Sequence, residues 1–385
     1  MVYNHAVYSV TNNIMSISRI SILPLVLIAA LAIALGVLIQ QYNSQPKGLP
    51  ELKNTLILPS PKALSMGVFV DQHAGYFSTP QLYGKWSIVF FGYTHCPDIC
   101  PTTMHTLSEV KKHLVAKNSW GNYQVIMVTV DPARDTPAHL DDYVSFFDPK
   151  FIGISGELDT TTEFAKQLGI LFIAQAATQN GAYDVDHSTA LILLNPRGEM
   201  AGLISAPHTI DEISQDLIAL ADYYPQDHEQ YTPVNSEKDE HQSLPQKITE
   251  SKTQLKLDIN QTLNIENAWI RPSPKIASAM AGYFNLVNSG EADITLVAVE
   301  SPQFNNSMIH TTVMEGGVAK MRHLTQLVVP AGGEILLQPM AIHIMLMQAK
   351  TPLSRGDTAE LTLIADDGQR FSISVSVRNQ PKKNQ

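Results

Sequence analysis

SIVFFGYTHCPDICPTTM, Ser87–Met104, decides the fold of the first half of this chain. Its opening run, Ser87–Tyr93, is short, apolar and rich in β-branched and aromatic residues, which predicts a buried strand. From Pro101 to Lys117 the residues Met104, Leu107, Val110 and Leu114 recur at helical spacing on one face. A strand that passes straight into a helix through Cys96-Pro-Asp-Ile-Cys100 puts Cys96 where helix-terminal N–H groups and the dipole favour a thiolate. Residues four apart on a helical turn lie side by side. The two sulfurs therefore suit either a disulfide or a grip on one soft metal, and thiolates suit Cu(I).

The alternation continues outward. Gln124–Val130 reads as a second buried strand. Ala138–Phe147 and Thr160–Leu168 read as helices. Thr189–Leu194 reads as a strand ending in the turn Asn195-Pro-Arg-Gly, and Ile210–Tyr223 as a closing helix. Residues 55–225 are thus expected to form an α/β sheet domain. His187, in Val185-Asp-His-Ser-Thr, stands at the loop-to-strand junction. It is the candidate nitrogen partner of Cys96 and Cys100, and an imidazole makes the site tolerable for Cu(II) as well as Cu(I). His95 adjoins Cys96, but its side chain is expected to point away. Asp131 and Asp135 read as capping or turn residues.

Residues 226–257 are rich in Gln, Glu, Ser and Lys, and read as a flexible linker. From 258 to 379 helical periodicity gives way to short β-rich stretches separated by turn signals: Ala281–Val287, Ile294–Val299, Met308–Met314, Ala319–Leu324, Glu334–Leu337, Ile342–Met347, Thr358–Ile364 and Phe371–Val377. This predicts an all-β sandwich. Within it His310, Met321, His343 and Met345 are spaced H-x10-M-x21-H-x-M. A tight loop at 315–316 puts His310 opposite Met321, and a longer loop shifts that register. His343 and Met345, two apart on one strand, share a face. Thioethers favour Cu(I) over Cu(II) and, unlike thiols, cannot be lost to a disulfide. Met308 and Met347 read as core residues, Met314 and Met340 as auxiliary ligand candidates, and His323 as a surface residue.

Composition limits the classes of function. The 385 residues are 44% apolar, enough for packed cores, and the formal charge of −10 with no basic stripe excludes nucleic acid as a partner. Two cysteines, both in one motif, exclude a disulfide-stapled fold. Ile20–Ile39 is apolar and about 20 residues long, the length of a membrane span, and lacks a cleavage site after it. The expectation is an uncleaved N-terminal transmembrane helix over 20–39. The tail 1–19 is then cytoplasmic, and both domains lie on the periplasmic side of a bacterial inner membrane. In that oxidising compartment the cysteine pair is a disulfide unless something reduces it.

Two resemblances sharpen the reading. Gly92-Tyr-Thr-His-Cys-Pro-Asp-Ile-Cys-Pro-Thr-Thr-Met104, Val130-Asp-Pro-Ala-Arg-Asp-Thr-Pro137 and Tyr183-Asp-Val-Asp-His-Ser188 resemble the motifs of the Sco/SenC copper proteins. This implies a thioredoxin-like fold over about 55–225, with copper held by Cys96, Cys100 and His187. It also implies a role in building the copper A centre of cytochrome c oxidase. The H-x10-M-x21-H-x-M set, with Asn267-Ala-Trp-Ile-Arg-Pro272, Ala281-Gly-Tyr283, Val313-Met-Glu-Gly-Gly-Val318 and Pro330-Ala-Gly-Gly333, is similar to the PCu(A)C periplasmic copper chaperones. That implies a cupredoxin-like sandwich carrying Cu(I). The expected partners are the apo copper A subunit and other envelope copper or thiol-redox proteins, and the linker would let copper pass between the two sites. The competing expectation is an envelope thiol–disulfide oxidoreductase that uses Cys96 and Cys100 and has an appended copper-binding module. A peroxiredoxin is disfavoured by Tyr93, where a Thr would be needed.

Overall fold

The computed structural model describes residues 22–43, 50–177, 183–223, 262–274, 277 and 279–380. The expected linker, 226–257, and tail, 1–19, lie outside the described residues. Two compact units emerge, Met1–Leu49 and Pro50–Gln385.

The first unit contributes helix α1 (Ile22–Asn43). Among the described residues no helix is long and apolar enough to cross a membrane, so the transmembrane anchor expected at 20–39 is not supported. The helix then ends on the polar turn Gln40-Gln41-Tyr42-Asn43.

The first part of the second unit runs β1 (Thr55–Lys62), β2 (Phe69–Asp71), β3 (Tyr76–Phe77), β4 (Trp86–Gly92), α2 (Ile99–Ala116), β5 (Tyr123–Thr129) and α3 (Pro137–Phe147). It continues with β6 (Ile152–Ser155), α4 (Leu158–Gln167), β7 (Phe172–Ala174), β8 (Val185–Ser188), β9 (Leu191–Leu194), β10 (Met200–Ile204) and α5 (Ile210–Tyr223). An eight-stranded sheet has the order β1-β10-β9-β4-β5-β6-β2-β3. At its centre β4 and β5 are parallel, while β9 runs antiparallel to β4 and β10 to β9. The core order β10-β9-β4-β5, with α2 as the β4–β5 crossover and α5 after β10, is the thioredoxin-like arrangement. Every residue of β4 is buried, as a strand covered on both faces requires. β1, with Pro59 and Pro61, takes the sheet edge, where a missing N–H is tolerated.

The second part is all β: β11 (Leu263–Ile270), β12 (Ala279–Asn288), β13 (Ile294–Glu300), β14 (Phe304–Glu315), β15 (Val318–His323), β16 (Leu327–Val329), β17 (Glu334–Leu336), β18 (Ile342–Ala349), β19 (Thr358–Ala365) and β20 (Arg370–Val377). The strands follow one path, β16-β13-β19-β20-β11-β12-β18-β14-β15, with β17 on β12. A short parallel pairing, Trp269 with Ser376 and Ile270 with Val377, joins the two halves of that path. Leu296, Leu363 and Val375 of one half share a core with Phe284, Ile344 and Leu346 of the other. The expected sandwich is therefore one continuous sheet folded over its own core.

That sheet does not stop at β15. It continues onto β8 and β7 of the thioredoxin-like part, Val318 pairing with Ser188 and Ala319 with His187. The two parts are thus hydrogen-bonded through a shared sheet.

Candidate metal centres

β4 delivers the chain to Gly92, and a loop from Tyr93 to Asp98 leads into α2. A Cβ on Gly92 would lie 2.9 Å from Cys100 Sγ and 2.6 Å from the Phe90 ring, so the loop can close on Cys100 only without a side chain here. Cys96, Cys100 and His187 are buried, and their donor atoms lie within 4.8 Å of one another. The Cys100 backbone N–H donates to Cys96 Sγ at 3.4 Å. His187 Nδ1 faces the Ser188 carbonyl at 2.9 Å and must carry the proton, which leaves the Nε2 lone pair facing Cys100 Sγ at 3.4 Å. The rings of Phe90 and Tyr93 stand edge-on to that imidazole.

The two thiols are unlike. Burial opposes ionising Cys96, but hydrogen bonds with Cys100 and His187 and the attraction of His187 hold its thiol well below the usual range. Burial pushes the Cys100 thiol well up, and its hydrogen bond to Cys96 and the charge there push the same way. Burial also raises Asp184 to about 6, with the Cys96 charge adding to it. The site brings together one sulfur that ionises readily, one that resists ionising and one imidazole nitrogen, a donor set for a soft metal or a disulfide.

His95 turns toward Asp135, its Nδ1 3.5 Å from Oδ1. Asp135 accepts from Thr94 N–H at 3.0 Å, the Thr94 hydroxyl at 2.6 Å and the Thr129 hydroxyl at 2.6 Å, which ties the cysteine loop to the end of β5. Asp131 accepts from Arg134 and from Tyr183 at 2.8 Å. Both aspartates therefore hold the loop, as turn residues do.

The second candidate set lies on β14, β15 and β18. His310 pairs across the strands with His343, their rings 6.1 Å apart. The expected pairing of His310 with Met321 is corrected. The hairpin turns on Gly316-Gly317, both at positive φ, so Glu315 pairs with Val318, His310 with His323 and Met321 with Thr312. The shift is two residues, so Met321 stays on the face of His310, one diagonal step away. His310, Met321, His343 and Met345 are all buried, and His323 is exposed, as expected. His343 Nδ1 faces the Ala341 carbonyl at 3.0 Å, and its buried Nε2 lone pair has no partner among the described residues. Both ring nitrogens of His310 are likewise buried and without a partner among the described residues. Burial, with His343 and His323 nearby, pushes His310 down to about 3 and keeps it neutral. Unpaired buried imidazoles are costly in a folded protein unless they bind something.

Sequence reasoning missed Asp98, which lies between the two cysteines and is fully buried. Its Oδ1 accepts from the Tyr283 hydroxyl at 2.8 Å, and its Oδ2 from Met340 N–H at 2.9 Å and the Thr312 hydroxyl at 3.1 Å. Arg271 Nη1 donates to the Asp98 carbonyl at 3.0 Å and to the Thr102 hydroxyl, and lies 3.8 Å from Oδ1. His343 Nδ1 is 3.7 Å from Oδ2. Arg271 and Tyr283 stood in the motifs read from the β domain, but nothing local told that their partner was the cysteine loop. Met340, an auxiliary ligand candidate, contributes its backbone N–H here at φ 62.

Comparison with known proteins follows the same division. The family model described as SCO1/SenC matches residues 66–222, and the one described as "Putative lipoprotein LpqE-like" matches 263–377. A Stutzerimonas stutzeri protein named "Putative copper-binding protein" is 38% identical over 196 residues, which cover 51% of this chain and 93% of that protein. The mitochondrial SCO2 homolog of Bos taurus is 33% identical over 134 residues, 35% of this chain and 50% of that protein, so the chain spans about half the length of this relative. The solved structure of Bradyrhizobium japonicum ScoI with copper bound is 31% identical and covers 40% of this chain and 98% of that one, at a TM-score of 0.37.

Proposed function

The chain belongs to the SCO1/SenC family, and from that membership we propose that it is a copper chaperone that delivers copper for assembly of the copper A centre of cytochrome c oxidase. Copper is cargo here, held in transit. Cys96, Cys100 and His187 take Cu(I) or Cu(II), and His310, Met321, His343 and Met345 take Cu(I). The observation that carries the reading is the buried convergence of Cys96, Cys100 and His187, with donor atoms within 4.8 Å. The unpartnered nitrogens of His310 and His343 support the second site. The name of the Stutzerimonas stutzeri relative points the same way.

The reading includes a periplasmic location for both domains, where thioethers keep their affinity for Cu(I) while thiols are exposed to oxidation. The client is the apo copper A subunit, and other envelope copper or thiol-redox proteins supply copper or electrons. A second reading rests on the split between the Cys96 and Cys100 thiols: one ready thiolate beside a thiol is the arrangement of a thiol–disulfide reductase. Titration of the reduced full chain with Cu(I) and Cu(II) separates them. A chaperone retains copper at both sites against a competing chelator, and Cys96→Ser loses the share held by the cysteines while the His/Met site keeps its Cu(I). Reduction of a client disulfide with no copper retention at the cysteines would replace the chaperone with the reductase.

A further inference from the structure

His343, His310, Met321 and His187 lie on one face of four adjacent hydrogen-bonded strands, β18-β14-β15-β8. The register establishes this. His343 pairs with His310, His310 with His323, and Met321 is two residues from His323 on the same face. Ala319 pairs with His187, and Met321 is two residues from Ala319, again on the same face. Met321 is thus one strand from His310 and one strand from His187, diagonal to both. Diagonal neighbours of this kind are about 7–8 Å apart, within reach of a long flexible side chain.

Packing assigns Met321 to the side of the cysteines. Met321 and Ala319 belong to the apolar cluster that contains Cys96 and Cys100, and not to the core of the β domain. Met345, by contrast, lies on β18 beyond His310, three strands from β8. The sequence groups Met321 with His310 and His343, whereas the fold packs it with the other site.

We propose that Met321 is a ligand shared by the two copper sites, and that Cu(I) crosses between them through its thioether inside the contact that joins the two domains. The inference rests on the reading above that both sites hold copper. The step is ligand exchange. The metal stays Cu(I) and no electron moves. The Met321 sulfur–copper bond is kept while the bonds to His310, His343 and Met345 break and those to Cys96, Cys100 and His187 form. Protons still on the two thiols leave to water. The partner in transfer is the chain's own β domain, held in place by the β15–β8 pairing and by the hydrogen bonds on Asp98.

The test uses the full chain with 13C-methyl-labelled methionine and one equivalent of Cu(I). With the cysteines reduced, the Met321 methyl signal is expected to shift and the Met345 signal to stay. In Cys96→Ser/Cys100→Ser both are expected to shift. A second measurement loads Cu(I) on the chain with Cys96 and Cys100 oxidised, adds reductant, and follows the thiolate–copper absorption. Met321→Leu, which keeps the bulk and removes the sulfur, is expected to slow that phase at least tenfold relative to Met347→Leu. A Met321 methyl unmoved while copper sits on the cysteines, or Met321→Leu rates within twofold of the control, overturns the shared ligand and leaves the chaperone reading standing. No copper uptake at either site overturns both.

Discussion

The Tyr283 hydroxyl donates a 2.8 Å hydrogen bond to Asp98 Oδ1, a carboxylate set between Cys96 and Cys100. This bond ties the β domain to the cysteine motif at a point where both residues are fully buried. It is one of three that the β domain makes to that carboxylate, with the Thr312 hydroxyl and Met340 N–H, and Arg271 lies beside them. Removing one partner of a buried charged network leaves the others unsatisfied, which costs more than the net worth of any single bond.

Asp98→Ala is therefore expected to weaken the contact between the domains by about 3–5 kcal/mol, the scale for breaking a buried ion pair. Amide exchange at β8 and β15 reads this directly, because their pairing is lost when the contact opens. Tyr283→Phe removes one hydrogen bond to a charged group and should cost about 1.5–3 kcal/mol. The two substitutions together should cost less than their sum, since they share one bond. Unchanged protection of β8 and β15 in Asp98→Ala would contradict this account.

At the cysteine site, copper is expected to bind only when Cys96 and Cys100 are reduced, because a disulfide offers no thiolate. His187→Ala should leave thiol exchange largely intact and weaken copper retention by about tenfold or more, since even residues behind a metal ligand are worth about that much. Cu(II) should suffer most, as it gains most from nitrogen. Chelator competition on both oxidation states checks it. Equal loss of thiol exchange and copper retention would mean that His187 acts only through the fold.

Gly92→Ala puts a methyl group 2.9 Å from Cys100 Sγ and 2.6 Å from Phe90, within a fully buried strand end. Overpacking of this sort typically costs about 1–3 kcal/mol. The variant is expected to unfold at lower denaturant and to bind copper more weakly at the cysteines than at the histidines. Wild-type stability together with wild-type copper binding would mean that the loop has more room than its geometry indicates.

His208 supplies a pH signature away from both metal sites. Burial lowers it from 6.5 to about 4. Above pH 6.5 both folded and unfolded states are neutral here and stability is full. As pH falls from 6.5 toward 4, the unfolded chain takes up a proton that the folded one refuses. Stability is then lost at up to about 1.4 kcal/mol per pH unit, and the loss levels off below the folded value. His208→Gln should flatten the denaturation free energy over that window. An unaltered slope would show that His208 titrates normally in the folded chain.

Legibility in the sequence followed the range of the interactions. The strand–loop–helix around Cys96 could be read because burial on both faces leaves an unbroken apolar run, and α2 carries its core residues at helical spacing. Ile210–Tyr223 was legible to the residue for the same reason. β11 was not recognised as a strand. Asn267 sits at φ 54 and the β11–β12 register shifts between Glu266 and Trp269, so the period of two is broken where it would have been seen. The hairpin register differs from the expected one because Glu315 belongs to the strand and pairs with Val318, so the two glycines alone make the turn.

By itself the sequence determined which residues are the candidate ligands and on which faces of which elements they sit. Cys96 and Cys100 at the start of a helix, His343 and Met345 on one strand face, and the α/β and all-β character of the two halves all follow from local spacing. Tertiary structure alone decided that the two sets of residues meet. The pairing of β15 with β8, the buried carboxylate of Asp98 and the packing of Met321 into the core cluster that contains the cysteines join segments far apart in the chain. Such contacts depend on which strand edge and which buried polar groups are left unsatisfied once each half has folded. No local pattern records that remainder.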